Sequence, residues 1–154
     1  MGCPEGIQVI PTYCLGFAFD LSEGGVQVIG KASVGLIRKI KPQWQAGSLN
    51  GIGGLIEDFD QTPAHAMARE FFEETGYQTE PGEWKRFHTM GSENWQVECF
   101  KTFGVDLSLL YSATDEEVIV VNAYQLPEDV LFNLRWLIPL AMDPQPFPTM
   151  QVYR

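Results

Sequence analysis

The chain is poor in basic residues and has no long hydrophobic run. Its 154 residues include 10 Lys and Arg against 20 Asp and Glu, which gives a formal net charge of -10 at pH 7. This surplus of acids argues against a broad basic face that holds nucleic acid, so we expect no long nucleic-acid partner. No apolar stretch approaches the roughly 18 residues that cross a bilayer, so we also expect no membrane partner.

Cysteine is scarce as well, and the start of the chain lacks basic residues. Cys3, Cys14 and Cys99 are odd in number and far apart, which favours reduced thiols over a disulfide framework or a zinc site. The first 30 residues contain no Lys or Arg, whereas secretory signals and transit peptides carry them. We therefore expect a cytoplasmic protein.

The apolar content is that of an ordinary globular protein. Hydrophobic residues make up 45% of the chain and charged residues 19%, which argues against disorder. No internal repeat and no sustained change of composition divides the sequence. We predict a single domain over residues 1–154, with a core over about 12–142 and a proline-rich tail over 143–154.

Five apolar runs rich in β-forming residues predict strands. These runs are Tyr13 to Phe19, Val26 to Ile29, Val34 to Ile40, Trp95 to Val105 and Val118 to Tyr124. The polar and glycine-rich segment 22–25 between the first two runs predicts a hairpin.

Two further segments predict helices. The first begins with Thr62 as N-cap and Pro63 at the first helical position, and it stops at Gly76. The second covers Asn133 to Met142, where Asn133 is a candidate cap and Pro139 weakens the helix. This order of elements predicts an α+β (α/β) sandwich, in which a mixed sheet lies between helices.

The first predicted helix carries a cluster of acids that a helix alone does not favour. Glu70, Glu73 and Glu74 stand at positions i, i+3 and i+4, so a helix places the three carboxylates on one face. Each like-charge pair costs about 0.2 to 0.5 kcal/mol, and the helix dipole disfavours acids near the C-terminus. A cation such as Mg²⁺ would reverse this cost, because it prefers carboxylate and carbonyl oxygens. A solvated acidic face stays open as the alternative.

A glycine-rich loop precedes this helix. The segment Asn50 to Gly54 reads Asn-Gly-Ile-Gly-Gly, and such a backbone can approach a ligand closely. Its spacing fits neither of the common glycine-rich nucleotide motifs. Ile56 stands where the dinucleotide fingerprint needs its third glycine, and no Gly-Lys-Ser/Thr follows to make a P-loop.

Together, the loop and the helix resemble the Nudix box of the Nudix (MutT-like) hydrolase family. The family pattern is Gly, five residues, Glu, seven residues, then Arg-Glu-apolar-x-Glu-Glu-x-Gly-apolar. The run Arg69 to Tyr77 (Arg-Glu-Phe-Phe-Glu-Glu-Thr-Gly-Tyr) matches every specified position if Tyr77 counts as apolar. Gly54 precedes Arg69 by 15 positions instead of 14, so the loop has one extra residue. The first Glu of the pattern, which braces the loop and helix in the family, therefore falls on Gln61, beside Asp60.

The resemblance, which covers roughly residues 12–142, implies a nucleotide pyrophosphohydrolase. Such an enzyme cleaves a nucleoside diphosphate linked to a group X, by attack of water on phosphorus with Mg²⁺ or Mn²⁺. The favoured substrate is a (deoxy)nucleoside triphosphate such as dGTP or 8-oxo-dGTP, cleaved to the monophosphate and pyrophosphate. One alternative is a pyrophosphatase for ADP-ribose, NADH or a dinucleotide, and another is a non-catalytic nucleotide-binding module. The expected partner is a small-molecule nucleotide, and a homodimer stays open.

The resemblance also implies roles for single residues. Glu70, Glu73 and Glu74 would hold the metal, with Glu70 or Glu74 also acting as general base, while Arg69 orients the acids. The carbonyl of Gly54 is a further ligand, and the acidic turn 115–117 supplies another carboxylate, for which we select Glu117. The residues selected for substrate binding are Trp44, Asn50, Gly53, Asn133 and Trp136. Core packing stays open for the tryptophans, and helix capping stays open for Asn133.

Overall fold

A computed structural model of the chain describes residues 9–21 and 31–144. Within these ranges it contains seven strands, two α-helices and two short 3-10 helices. The strands are β1 Thr12–Phe19, β2 Ser33–Arg38, β3 Leu49–Asn50, β4 Ile52–Leu55, β5 Lys85–Gly91, β6 Gln96–Thr102 and β7 Glu117–Asn122. The helices are α1 Pro63–Thr75 and α2 Leu134–Met142, and the 3-10 helices are Pro81–Glu83 and Leu107–Leu109.

The strands form one mixed sheet with β1 near its centre. Its main path runs β3-β2-β1-β6-β5, while β4 pairs with β1 and β7 pairs with β2. Strands β1 and β6 are parallel, from Thr12 opposite Gln96 to Ala18 opposite Thr102. The other pairings in the described sheet are antiparallel.

A helix covers each face of this sheet, because successive side chains of β1 point to opposite faces. Cys14 and Ala18 pack in one buried cluster with Met67 and Phe71 of α1. The alternate β1 residues pack in a second cluster with α2; these are Leu15, Phe17 and Phe19, against Leu134, Leu137 and Ile138. The predicted α+β sandwich is therefore confirmed.

Four of the five predicted strands are present as β1, β2, β6 and β7. The run Val26 to Ile29, and with it the predicted hairpin, lies outside the described residues. The sequence did not predict β3, β4 or β5. Strand β4 is part of the glycine segment, which the sequence indicated as a loop, and Gly53 lies so close to β1 that a side chain there would collide with the Cys14 backbone. Glycine is thus required for this pairing.

Both helices begin and end where the sequence indicated. The Thr62 side chain accepts a hydrogen bond from the His65 N–H at 3.2 Å, and Gly76 ends α1 with a φ of 70°. At α2, Asn133 occupies the cap position, but its side chain makes no capping hydrogen bond, and Pro139 lies inside the helix. The tail beyond residue 144 lies outside the described residues. Neither described helix is long and apolar enough to cross a membrane.

The two described cysteines are free thiols. Cys14 and Cys99 are both buried, and burial raises the pKa of each thiol to about 12. These thiols therefore stay protonated at neutral pH, which makes them weak nucleophiles.

Candidate active site

Helix α1 and strand β4 bring one carboxylate and one backbone segment into contact. The buried face of α1 packs on the sheet through Ala66, Met67 and Phe71. On the same helix, the Glu70 carboxyl carbon lies 2.6 Å from the position that a Cβ atom on Gly54 would occupy. Only glycine leaves room for this carboxylate, so the predicted metal ligands Glu70 and Gly54 do lie side by side.

Arg69 links this contact to the loop before the helix. Its Nε and Nη2 atoms donate to the two Asp60 carboxylate oxygens at 2.9 and 2.8 Å. Its Nη1 atom donates to Glu70 at 3.0 Å and, at longer range, to Glu73. The Phe59 ring lies 5.2 Å from the guanidinium carbon. Arg69 thus contacts Asp60, Glu70 and Glu73 together, an arrangement that its predicted orienting role requires.

Asp60 supplies the brace that the family pattern places one residue later. Its side chain is only 4% exposed, whereas Gln61 is exposed. A turn that is closed by two hydrogen bonds between Glu57 and Asp60 directs the carboxylate at Arg69. The hydrogen bonds from Arg69 hold the Asp60 pKa below its usual value. The loop thus accommodates its extra residue because Asp60, and not Gln61, contacts Arg69. The acidic residue next to Gln61 in the sequence could have indicated this.

Two of the three helix carboxylates are partly buried. Burial raises the pKa of Glu70, against the opposing charge of Arg69. Burial also raises the pKa of Glu74, and the nearby Glu116 charge adds to that shift. Glu73 is 52% exposed. The charged forms of Glu70 and Glu74 are therefore less stable in the folded chain than in water, and a bound cation would relieve that cost.

The donor set fits a divalent metal ion in its chemistry. Three carboxylates and the Gly54 carbonyl are the hard oxygen ligands that Mg²⁺ and Mn²⁺ prefer. Within residues 9–21 and 31–144, no three acidic, His or Cys side chains converge as a ready metal cluster. The helix carboxylates have protein partners instead, since Arg69 binds Glu70 and Glu73 while Thr114 binds Glu74. Among the hydrogen bonds of the described residues, Glu70 and Glu74 each use one carboxylate oxygen, which leaves the other for a metal ion, whereas Arg69 contacts both oxygens of Glu73.

The acidic turn 115–117 reaches the site through a different residue from the one selected. Glu117 is exposed at the start of β7, where it pairs with Arg38 of β2. Glu116 is buried and acts electrostatically on Glu74. Its two oxygens accept hydrogen bonds from Lys39 Nζ at 3.1 Å and from the Ile40 N–H at 2.7 Å. The structure thus places Glu116 close enough to Glu74 of α1 to raise its pKa, while Glu117 as a metal ligand stays a prediction.

Of the residues selected for substrate binding, Trp136 and Asn133 lie at the start of α2. The Trp136 side chain is 44% exposed, and its ring meets the His88 ring edge-on with centroids 5.4 Å apart. The Asn133 Oδ1 atom is buried without a hydrogen-bond partner. Burial lowers the His88 pKa, which keeps the imidazole neutral at pH 7. Sequence reasoning missed His88, because nothing around it in the sequence indicates a partner.

Of the remaining selected residues, Gly53 lies in β4, Asn50 in β3 and Trp44 in the segment before β3. Trp44 is 70% exposed. The Asn50 side chain donates to Gln45 at 3.1 Å and accepts from the Gly51 N–H at 2.8 Å, so it connects the Trp44 segment to the glycine strand. Gly53 packs on the Cys14 backbone. Asn50 and Gly53 thus make structural contacts within the protein. The Trp44 ring is exposed, so a ligand can reach it.

A family comparison bears directly on this arrangement. A NUDIX domain family model matches residues 24–148, which is most of the chain. A search of curated proteins found no match.

Solved structures with a similar fold include the following three. A MutT/nudix family protein from Enterococcus faecalis aligns with a TM-score of 0.70 at 14% identity, over 92% of this chain and only 63% of that chain. The NUDIX domain of Shewanella oneidensis NrtR, solved with ADP ribose, aligns with a TM-score of 0.69 at 14% identity over 91% of each chain. A MutT NUDIX hydrolase from Burkholderia pseudomallei gives 0.64 at 15% identity, over 86% of this chain and 98% of that one. The NUDIX family model covers most of this chain, and β4 and α1 carry the Nudix box. The chain therefore belongs to the Nudix (MutT-like) hydrolase family.

Proposed function

We propose that the chain hydrolyses a (deoxy)nucleoside triphosphate, such as dGTP or 8-oxo-dGTP, to the monophosphate and pyrophosphate. The observation that carries this proposal is the set of three carboxylates on α1, of which Glu70 and Glu74 are partly buried and Glu70 lies beside the Gly54 backbone. Glu70, Glu73, Glu74 and the Gly54 carbonyl would hold Mg²⁺ or Mn²⁺. A bound cation of this kind neutralises phosphate oxygens and lowers the pKa of a coordinated water.

Glu74 is the residue that we assign as general base. In the hydrolysis, water adds to a phosphorus atom, one phosphoanhydride P–O bond breaks and pyrophosphate leaves. Glu74 accepts the proton of the attacking water. Its carboxylate accepts a hydrogen bond from the neutral Thr114 hydroxyl rather than from the Arg69 guanidinium, which would lower its basicity. Arg69 instead keeps Glu70 and Glu73 oriented.

The start of α2 supports binding of a nucleobase. The half-exposed Trp136 ring offers a stacking surface beside the neutral His88 ring. The Asn133 Oδ1 atom has no hydrogen-bond partner but is covered in this structure, so it would accept an N–H group of the base only after the side chain turns outward. An unsatisfied buried acceptor is costly, so a ligand that donates to it recovers that cost. These three residues favour a substrate with a purine or pyrimidine ring over a pyrophosphate without a base.

A second candidate is a pyrophosphatase or binding module for ADP-ribose. The specific observation is the alignment with the NrtR NUDIX domain, which was solved with ADP ribose and is covered almost completely. That likeness is one of fold, and the full set of carboxylates on α1 argues for turnover over binding alone. The same Trp136 surface would accept the adenine of ADP-ribose.

A release assay tests these alternatives together. The purified chain is incubated with canonical and oxidised (d)NTPs, ADP-ribose, NADH and diadenosine polyphosphates, each with Mg²⁺, Mn²⁺ or EDTA. We expect a nucleoside monophosphate and pyrophosphate from one or more triphosphates, and no product in EDTA. AMP from ADP-ribose alone would support the second candidate. Nucleotide-dependent stabilisation without any product would support a binding module, and hydrolysis in EDTA would contradict the mechanism.

Gly54→Ala should lower this activity about tenfold, since small misplacements of reacting groups are expensive. The added methyl would displace the Glu70 carboxylate, whose atoms lie 2.6 to 2.7 Å from it. A side-chain end can move, so we expect the fold and the melting temperature to be retained. Gly82→Ala is the matched control, because a Cβ there has no neighbour within 4 Å. Steady-state kinetics and far-UV circular dichroism check both variants, and wild-type activity in Gly54→Ala would argue against the role of Glu70.

A further inference from the structure

The segment 111–116, here called the strap, crosses the C-terminal end of α1. The Tyr111 N–H donates to the Thr75 carbonyl at 3.1 Å, and the Ala113 N–H donates to the Glu74 carbonyl at 3.1 Å. The Thr114 hydroxyl donates to the Glu74 carboxylate at 2.9 Å. The strap therefore contacts both the backbone and the side chain of the residue assigned as general base.

The far end of the strap is fixed to the two residues that follow β2. Glu116 is buried, and its two oxygens accept from Lys39 Nζ and from the Ile40 N–H. The Glu116 N–H donates to the Thr114 hydroxyl oxygen at 3.2 Å. With that oxygen accepting from Glu116, the hydroxyl proton is directed to Glu74. A continuous chain of contacts thus joins Lys39, Glu116, Thr114 and Glu74.

We propose that Thr114 is a positioning residue, which holds the Glu74 carboxylate in one orientation and is itself anchored through Glu116 and Lys39. The proposal rests on the proposed function, since it assigns Thr114 a role through Glu74. It also gives the buried Glu116 a role as an anchor, because both of its carboxylate oxygens already have protein partners.

Thr114→Val tests this role, because valine keeps the shape of threonine and removes the hydroxyl. Without its donor, Glu74 is free to turn, and we expect kcat to fall about tenfold, in keeping with loss of a hydrogen bond to a charged group. KM for the nucleotide should change less than twofold, because Thr114 contacts no part assigned to the base. Thr114→Ser restores the hydroxyl and should recover kcat to within about twofold of the wild type.

Ser112→Ala is the matched control in the same strap. The Ser112 hydroxyl oxygen accepts the Val118 N–H at 2.9 Å, so its loss weakens the strap without removing the donor to Glu74. We expect Ser112→Ala to keep kcat within about twofold. An equal loss of kcat in Ser112→Ala and Thr114→Val would assign the effect to strap rigidity and overturn the proposal, as would wild-type kcat in Thr114→Val.

A direct titration with Mn²⁺ separates this proposal from the proposed function. If the wild-type chain hydrolyses no nucleotide in the release assay, the proposed function fails, while free Mn²⁺ measured by electron paramagnetic resonance still reports on Glu74. A severalfold weaker Mn²⁺ affinity in Thr114→Val than in Ser112→Ala supports the positioning role. Equal affinities in the two variants, in the absence of any activity, overturn it.

Discussion

Glu74→Gln is expected to lower kcat by roughly 10²- to 10⁴-fold, the usual contribution of a general base. Glutamine has the same shape as glutamate, and the Thr114 hydroxyl can still donate to its amide oxygen, as it now donates to the carboxylate at 2.9 Å. The side chain therefore stays in place but accepts no proton at neutral pH. Single-turnover kinetics with the best nucleotide of the release assay measure the loss. A variant with full turnover would remove Glu74 from the mechanism.

The same substitution should leave the metal-free protein equally or more stable at pH 7. Burial raises the Glu74 pKa above its ordinary value of 4.5, so the charged carboxylate opposes folding at pH values above the raised pKa. That cost disappears as the pH falls below 4.5, because Glu74 is then protonated in both the folded and the unfolded chain. Melting temperatures of the two proteins should therefore converge at low pH. Glu93→Gln, at an exposed position, controls for the change in net charge.

Local signals in the sequence were enough to predict α1 and the sandwich. The cap at Thr62, the proline after it and the glycine at the end act within one helix turn, so they can be located without tertiary information. Strand β4 could not be predicted in this way. Its glycines disfavour a strand by propensity, and only the close approach of the Cys14 backbone explains why they are needed there.

The residues of the candidate site differ in the same way, since local sequence predicts some of them and tertiary contacts determine the others. The spacing of Glu70, Glu73 and Glu74 needs only helical periodicity, and the structure places them as expected. Contacts between residues that are distant in the sequence could not be predicted in this way. His88 lies at a register shift in the β5–β6 pairing and meets Trp136 of α2, and neither feature can be predicted from the local sequence. Glu116, rather than Glu117, faces the site because β7 begins at Glu117 and leaves that residue exposed.

Asp60→Asn is the substitution with the largest expected effect on stability. Asn keeps the shape of Asp60 but cannot accept both charged hydrogen bonds from Arg69, which now measure 2.9 and 2.8 Å. We expect a loss of about 2 kcal/mol in the free energy of unfolding at pH 7, since hydrogen bonds to charged groups contribute about 1.5 to 3 kcal/mol. Urea denaturation measures this loss. Gln61 is exposed and stands at the position of the first Glu of the Nudix box. Gln61→Ala should change the free energy of unfolding by less than about 0.5 kcal/mol.

The pH dependence of that loss identifies its cause. Arg69 lowers the Asp60 pKa below its ordinary value of 3.8, so the ionised carboxylate stabilises the fold above pH 3.8 and this contribution is lost as the pH falls through the lowered pKa. The difference between wild type and Asp60→Asn should thus shrink in acid. A difference that does not change with pH would assign the effect to packing. Activity should fall together with stability, because Arg69 without Asp60 no longer holds Glu70 and Glu73 in one orientation.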